Sequence, residues 1–103
     1  MKAKGLLITP DGNANDVEFD GEFASLKELQ KCVEGYIEIL WLKGGKALVV
    51  NEEGKMNGLQ INDRATYIIG EHGIDDIIVG NALLIESKYI DWDYAKKEER
   101  KEI

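Results

Sequence analysis

One cysteine, one histidine and one proline are all that this chain carries of three residue types on which much protein chemistry depends. A lone cysteine forbids an internal disulfide, and Cys32 with His72 cannot supply the four ligands of a structural zinc site. A Cys–His nucleophilic pair has little to favour it. Cys32 falls within a helical pattern and His72 in a glycine-rich turn, and a free cysteine usually behaves as a small hydrophobe. No apolar run approaches the roughly 20 residues of a membrane span. The basic start, Lys2 and Lys4, is followed only by Leu6, Leu7 and Ile8 before Thr9 and Pro10, too short for a signal-peptide core. A cytoplasmic protein is expected. Neither a Walker A loop nor a dinucleotide fingerprint is present, and Gly44, Gly45 and Gly54 read as turn glycines.

Positive charge is also scarce. Twenty acidic residues against thirteen basic ones give a net charge of -7. Such a surface repels phosphate backbones, so direct nucleic-acid binding is not expected. The acidity serves solubility or, in a sharper reading, mimics nucleic acid in another protein's groove. The carboxylates do not form a catalytic or metal pattern. Glu52 and Glu53 are adjacent and point apart in extended chain, which makes a poor acid/base pair. Asp75 and Asp76 precede an apolar stretch in the same way. A metal site from Asp63, Glu52 and Glu53 matches no calcium-loop spacing. No metal and no cofactor is expected.

The 103 residues suit one domain, which at this size buries roughly two thirds of the surface of its unfolded chain. Residues 5–9 read as a strand. Thr9-Pro10-Asp11-Gly12 is a turn signal, since proline presets one dihedral and glycine accepts a positive φ. Residues 16–20 then alternate, with Val17 and Phe19 on one face and acids on the other. The two segments predict a β-hairpin. Ser25-Leu26-Lys27-Glu28 is a capping box opening a helix, with Leu26, Leu29 and Val33 on its apolar stripe. Gly35 is placed to end that helix in a left-handed conformation.

Residues 36–42 form the next strand, with Ile37, Ile39 and Trp41 on one face and Tyr36, Glu38, Leu40 and Leu42 on the other. Trp41 reads as core. Lys43-Gly44-Gly45-Lys46 is a tight turn, and residues 47–50 return as the partner strand. Asn62 is an N-cap for a short helix over 64–69, with Asp63 at the positive end of its dipole. Residues 70–73 read as a breaker. Residues 76–86 read as one broken strand or two short ones, over 77–79 and 82–85.

The expected fold is therefore α+β. It is a single two-layer domain, with a mainly antiparallel sheet of five to six strands in the order β-β-α-β-β-α-β, one main helix and one short helix. The domain spans 1–87. Residues 88–103 form a polar and aromatic tail, helical in part at most, within which residues 95–102 read as a solvated helix end or a disordered segment.

Several motifs combine in order: Pro10-Asp11-Gly12, Gly35-Tyr36-Ile37-Glu38, Val50 followed by Asn51-Glu52-Glu53-Gly54-Lys55, Asn62 with Ala65 and Thr66, and Ile78-Val79-Gly80. Together, over 4–86, they resemble the domain of unknown function 3846 family. That family comprises small single-domain proteins of bacteriophages, plasmids and bacterial genomes. The resemblance implies a mobile-element setting and no particular reaction. It makes an accessory or anti-defence role the natural expectation.

Two candidate sites follow. Asn51, Gly58, Asn62, Arg64 and Thr66 lie around a strand-to-helix junction and would converge if the intervening loop folds over the helix start. Helix N-termini attract anions, and arginine suits phosphate or carboxylate. The competing reading has Asn62 capping, Arg64 pairing with a surface acid and Thr66 packing. Tyr89, Trp92 and Tyr94, aromatics among acids, either dock onto the domain or form a partner-facing patch. The leading expectation is a non-enzymatic accessory protein that binds a host protein. The alternative is a small-molecule, nucleotide-like binder using the Asn51 and 62–66 cluster. An exposed edge strand would also let two copies pair as a homodimer.

Overall fold

A computed structural model describes residues 1–91. Strands β1 (Lys4–Ile8), β2 (Ala14–Glu18), β3 (Ile37–Leu42), β4 (Lys46–Asn51) and β5 (Ala82–Glu86) form one sheet in the order β2-β1-β5-β4-β3. Every neighbouring pair is antiparallel. Helix α1 (Leu26–Val33) links β2 to β3, and helix α2 (Asp63–Glu71) lies between β4 and β5. The α+β class, the antiparallel sheet and the element order are those expected from the sequence.

The layering is not. Side chains alternate across a strand, so Ala47, Val49, Leu83 and Ile85 face one way, and Leu48, Val50 and Ala82 the other. The first set packs with Leu29 and Val33 of α1, the second with Ala65 and Ile69 of α2. The helices therefore cover opposite faces, giving three layers instead of two. The central strands β4 and β5 are buried on both sides, which is why they read as continuous apolar runs. Each fully buried Leu or Val side chain is worth about 1.5–3 kcal/mol.

The first hairpin follows its turn chemistry. Gly12 takes φ 91 and its N–H donates to the Thr9 carbonyl. The second strand is Ala14–Glu18, two residues earlier than expected, because β1 sets the register from Ile8↔Ala14 to Lys4↔Glu18. Val17 and Phe19 still face the core beneath α1. The capping box of α1 is complete, with the Ser25 hydroxyl accepting from Glu28 N–H and the Glu28 carboxylate accepting from Ser25 N–H.

The left-handed residue after α1 is Glu34, at φ 63, and not Gly35. Gly35 is needed for a different reason. A Cβ there would stand 2.6 Å from Nδ2 of Asn51. Helix α2 runs longer than expected and passes through Gly70, since one glycine in an exposed helical position costs only about 1 kcal/mol. Residues 77–79 form no strand. Val79 makes a single bridge to Ile61, so the sheet has five strands.

Trp41 is 36% exposed at the outer strand and does not enter the core. Tyr89 and Ile90 do enter it, and Ala24 N–H donates to the Tyr89 carbonyl at 2.9 Å. The packed unit thus continues to Ile90, past the boundary expected at 87. The expectations for residues 92–103 lie outside the described residues. Among the described residues, no helix is long and apolar enough to cross a membrane.

Candidate functional site

The polar residues of the strand-to-helix junction are held by the fold's own backbone. Asn51 sits at the end of β4 and faces α1. Its Nδ2 donates to the Val33 carbonyl at 3.1 Å, and its Oδ1 accepts from Glu53 N–H at 2.8 Å. Asn81 donates to the Cys32 carbonyl at 3.1 Å. Together the two asparagines satisfy carbonyls that a helix C-terminus leaves without partners.

Asn62 lies on the opposite side of the sheet and is fully buried. It caps α2 as expected, accepting from Ala65 N–H at 3.0 Å. It also donates to the carbonyls of Ile8 at 3.0 Å and Gly80 at 2.9 Å. Thr66 accepts from Ile78 N–H at 2.9 Å. Arg64 reaches the Gly12 carbonyl at 3.0 Å, where the sequence suggested an anion or a surface acid. Gly58 is a turn residue at φ 67 with open space around its α-carbon. The five residues do not converge on one pocket, because the sheet separates Asn51 from the α2 cap.

Tyr89, a candidate for a partner-facing patch, is 7% exposed and packs in the core, with the Lys88 ammonium 5.1 Å from its ring centre. Of the two readings of Tyr89 this is the docked one, since an aromatic ring among acids gains most by docking on the nearest apolar surface. Trp92 and Tyr94 are outside the described residues.

Cys32 belongs to α1 and His72 to the end of α2, on opposite faces, and burial pushes the Cys32 thiol above its ordinary range. Among the described residues, no three His, Cys, Asp or Glu side chains gather to hold a metal ion.

A narrow cleft of about 100 Å³ runs between the ends of β3 and β4 and the 76–79 segment. Glu38, Lys55 and Asp76 line it. The Lys55 ammonium and the Ile77 N–H hold Asp76 below the usual carboxylate range. Glu38 is exposed on one side, but desolvation in the cleft, with Asp76 and Glu52 nearby, raises its pKa.

A broader opening lies elsewhere. Helix α2 covers only part of its face of the sheet. The uncovered part is a broad cleft of about 510 Å³, lined by Lys4, Leu6, Asp16, Glu18, Lys46, Leu84 and Glu86 among others. The register explains its make-up. Leu6 pairs with Asp16 on one side and Leu84 on the other, and Leu84 pairs with Leu48, giving a leucine row. The next row holds Glu18 opposite Lys4, and Glu86 opposite Lys46, so acids and bases alternate at its rim. Leu6 and Leu84 are half-buried. Sequence reading missed this cleft. The alternation within each segment was visible, but the rows arise only when strands distant in sequence are set side by side.

No curated protein and no solved structure matches the chain. A family model described as a domain of unknown function, DUF3846, matches residues 1–97. With that match spanning nearly the whole chain, and the fold carrying the motifs in their expected order, the chain belongs to the DUF3846 family.

Proposed function

We propose that this is a small, non-enzymatic accessory protein of a phage or other mobile element, acting by binding a host protein through the open face of its sheet. The observation that carries the reading is the cleft floored by Leu6 and Leu84 and rimmed by Lys4, Glu18, Lys46 and Glu86. Half-buried leucines beside a row of alternating charge give a contact surface its two usual components, an apolar patch and a polar rim. Beneath it the sheet packs on the α1 core, and β4 and β5 are also held by α2 beside the cleft, so the surface is preorganised and little ordering cost accompanies binding. The mobile-element setting comes from the family resemblance.

The small-molecule alternative draws no comparable support. The side chains of Asn51, Asn62, Arg64 and Thr66 already serve backbone partners within the fold.

The test is affinity capture from bacterial host extract with the wild-type chain and with Leu6→Lys. A specific protein retained by the first and lost by the second supports the reading. Retention that ignores the substitution overturns the assigned surface. Catalytic turnover of a substrate by the purified chain overturns the non-enzymatic role.

A further inference from the structure

Strand β2 stands at one end of the sheet order, with β1 as its neighbour. The phase of its backbone is fixed at both ends. Thr9 N–H donates to the Asn13 carbonyl at 2.9 Å, and Phe19 N–H donates to the Ala3 carbonyl at 2.8 Å. Both bonds fit the register that runs from Ile8↔Ala14 to Lys4↔Glu18. Asn13 and Phe19 therefore direct their polar groups toward β1. Direction alternates along an antiparallel ladder. Asn15 and Val17 thus also face β1, while Ala14, Asp16 and Glu18 turn their N–H and C=O groups outward. Among the described residues, none bonds those outward groups.

The same residues set the chemistry beside the edge. Asp16 and Glu18 are exposed and line the cleft with Leu6 and Lys4, their partners on β1. Glu18 has a loose ion pair with Lys2 at 3.9 Å, and among the described residues no base is paired with Asp16. On the opposite face Val17 is half-buried at the margin of the core beneath α1.

We propose that the host protein adds an extended segment to β2 as a sixth strand, with basic side chains opposite Asp16 and Glu18 and an apolar one opposite Val17. This rests on the reading that the open face binds a host protein, and gives that partner its chemistry. Backbone bonds along an added strand supply affinity, and its alternate side chains supply selectivity. Residues opposed across a strand pair share a face. The bases therefore meet the two carboxylates at the rim of the cleft, and the apolar residue covers Val17.

A second copy of this chain fits the edge poorly. Paired with itself about Asp16, β2 sets two aspartates face to face. About Val17, it sets Asp16 against Glu18 twice. Like charges so opposed destabilise a strand pair, so the acidic edge rejects its own kind and accepts a basic strand.

The experiment titrates the full chain with two end-blocked peptides, one of Lys-Val repeats and one of Glu-Val repeats. Binding is read by fluorescence anisotropy, and amide hydrogen exchange is followed by NMR. The Lys-Val peptide is expected to bind at least about tenfold more tightly than the Glu-Val peptide, and more weakly as salt rises. It is also expected to slow exchange at the N–H groups of Ala14, Asp16 and Glu18. Asp16→Pro removes an outward N–H and no bond to β1, so the sheet tolerates it. That variant, shown to be folded by circular dichroism, is expected to lose the binding. If it does not fold, Asp16→Lys combined with Glu18→Lys stands in, and is expected to reverse the peptide preference. Equal affinity for the two peptides, protection confined to other residues, or full binding by a folded Asp16→Pro variant overturns the inference. Slowed exchange at the same three N–H groups that grows with protein concentration alone makes a second copy the occupant, and overturns it too.

Capture from host extract with Asp16→Pro beside Leu6→Lys separates this inference from the reading beneath it. A specific host protein lost by both variants agrees with a strand added at β2. Loss with Leu6→Lys alone overturns the inference and keeps the reading. Retention by both overturns both.

Discussion

The side-chain amide of Asn62 donates to the carbonyl of Ile8, 54 residues away in the chain, at 3.0 Å. One buried side chain thereby ties the cap of α2 to the end of β1, and through its second donor to Gly80, just before β5. Each of these groups is shielded from water, so none has a substitute partner.

Replacing Asn62 by aspartate keeps the size and the cap acceptor but removes both donors. A carboxylate would then face two carbonyls in a buried site. The expected loss is about 3 kcal/mol or more, measured by urea unfolding, with Asn62→Ala similarly damaging. A loss below that of an ordinary surface substitution would contradict this account of the junction.

Gly35 and Asn51 form a second coupled pair. Gly35→Ala brings a methyl group to 2.6 Å from the Asn51 amide nitrogen, and the expected cost is about 1–3 kcal/mol. Asn51→Ala removes the obstacle and also removes a cap of α1. The double variant should therefore be less destabilised than the sum of the two singles. Additive losses in a double-mutant cycle would show that the contact is not the cause.

Glu34 holds a left-handed conformation at φ 63 in an exposed position. A side chain there costs about 1–2 kcal/mol relative to the right-handed backbone. Glu34→Gly should raise stability, by up to about 1 kcal/mol. A lower melting temperature for this variant would show that the glutamate side chain contributes a compensating interaction.

Glu38 has a raised pKa, first from desolvation and then from Asp76 and Glu52. The folded state therefore binds its proton more tightly than the unfolded state does. Stability falls as pH rises through the window from the ordinary glutamate range to the raised value. Glu38→Gln should be the more stable form at neutral pH, by about a few tenths of a kcal/mol because solvent screens the site. The advantage should vanish in mild acid.

Ser25 and Glu28 have the opposite sign. Burial alone would raise the Glu28 pKa, but the bonds it makes with Ser25 and the Asp20 N–H lower it. Its contribution is present above the unfolded value and is lost as pH falls through the lowered folded value. Ser25→Ala should cost about 1 kcal/mol at neutral pH. It should also make acid unfolding less steep. An unchanged acid limb would show that the capping box does not set it.

Local chemistry in the sequence determined much of this protein. Pro10-Asp11-Gly12 and Gly44-Gly45 specify their turns because few other residues accept those dihedrals. Ser25 with Glu28, and Asn62, mark helix starts because they satisfy N–H groups within the same turn. The apolar runs at 47–50 and 82–85 marked strands. Tertiary structure decided the rest. Whether Asn51 bound a ligand or capped α1, and whether Tyr89 faced solvent or the core, depended on partners far along the chain. The leucine row of the cleft depends on strand order and register. Those are set by the summed packing of both helices on the sheet, and no single segment encodes that sum.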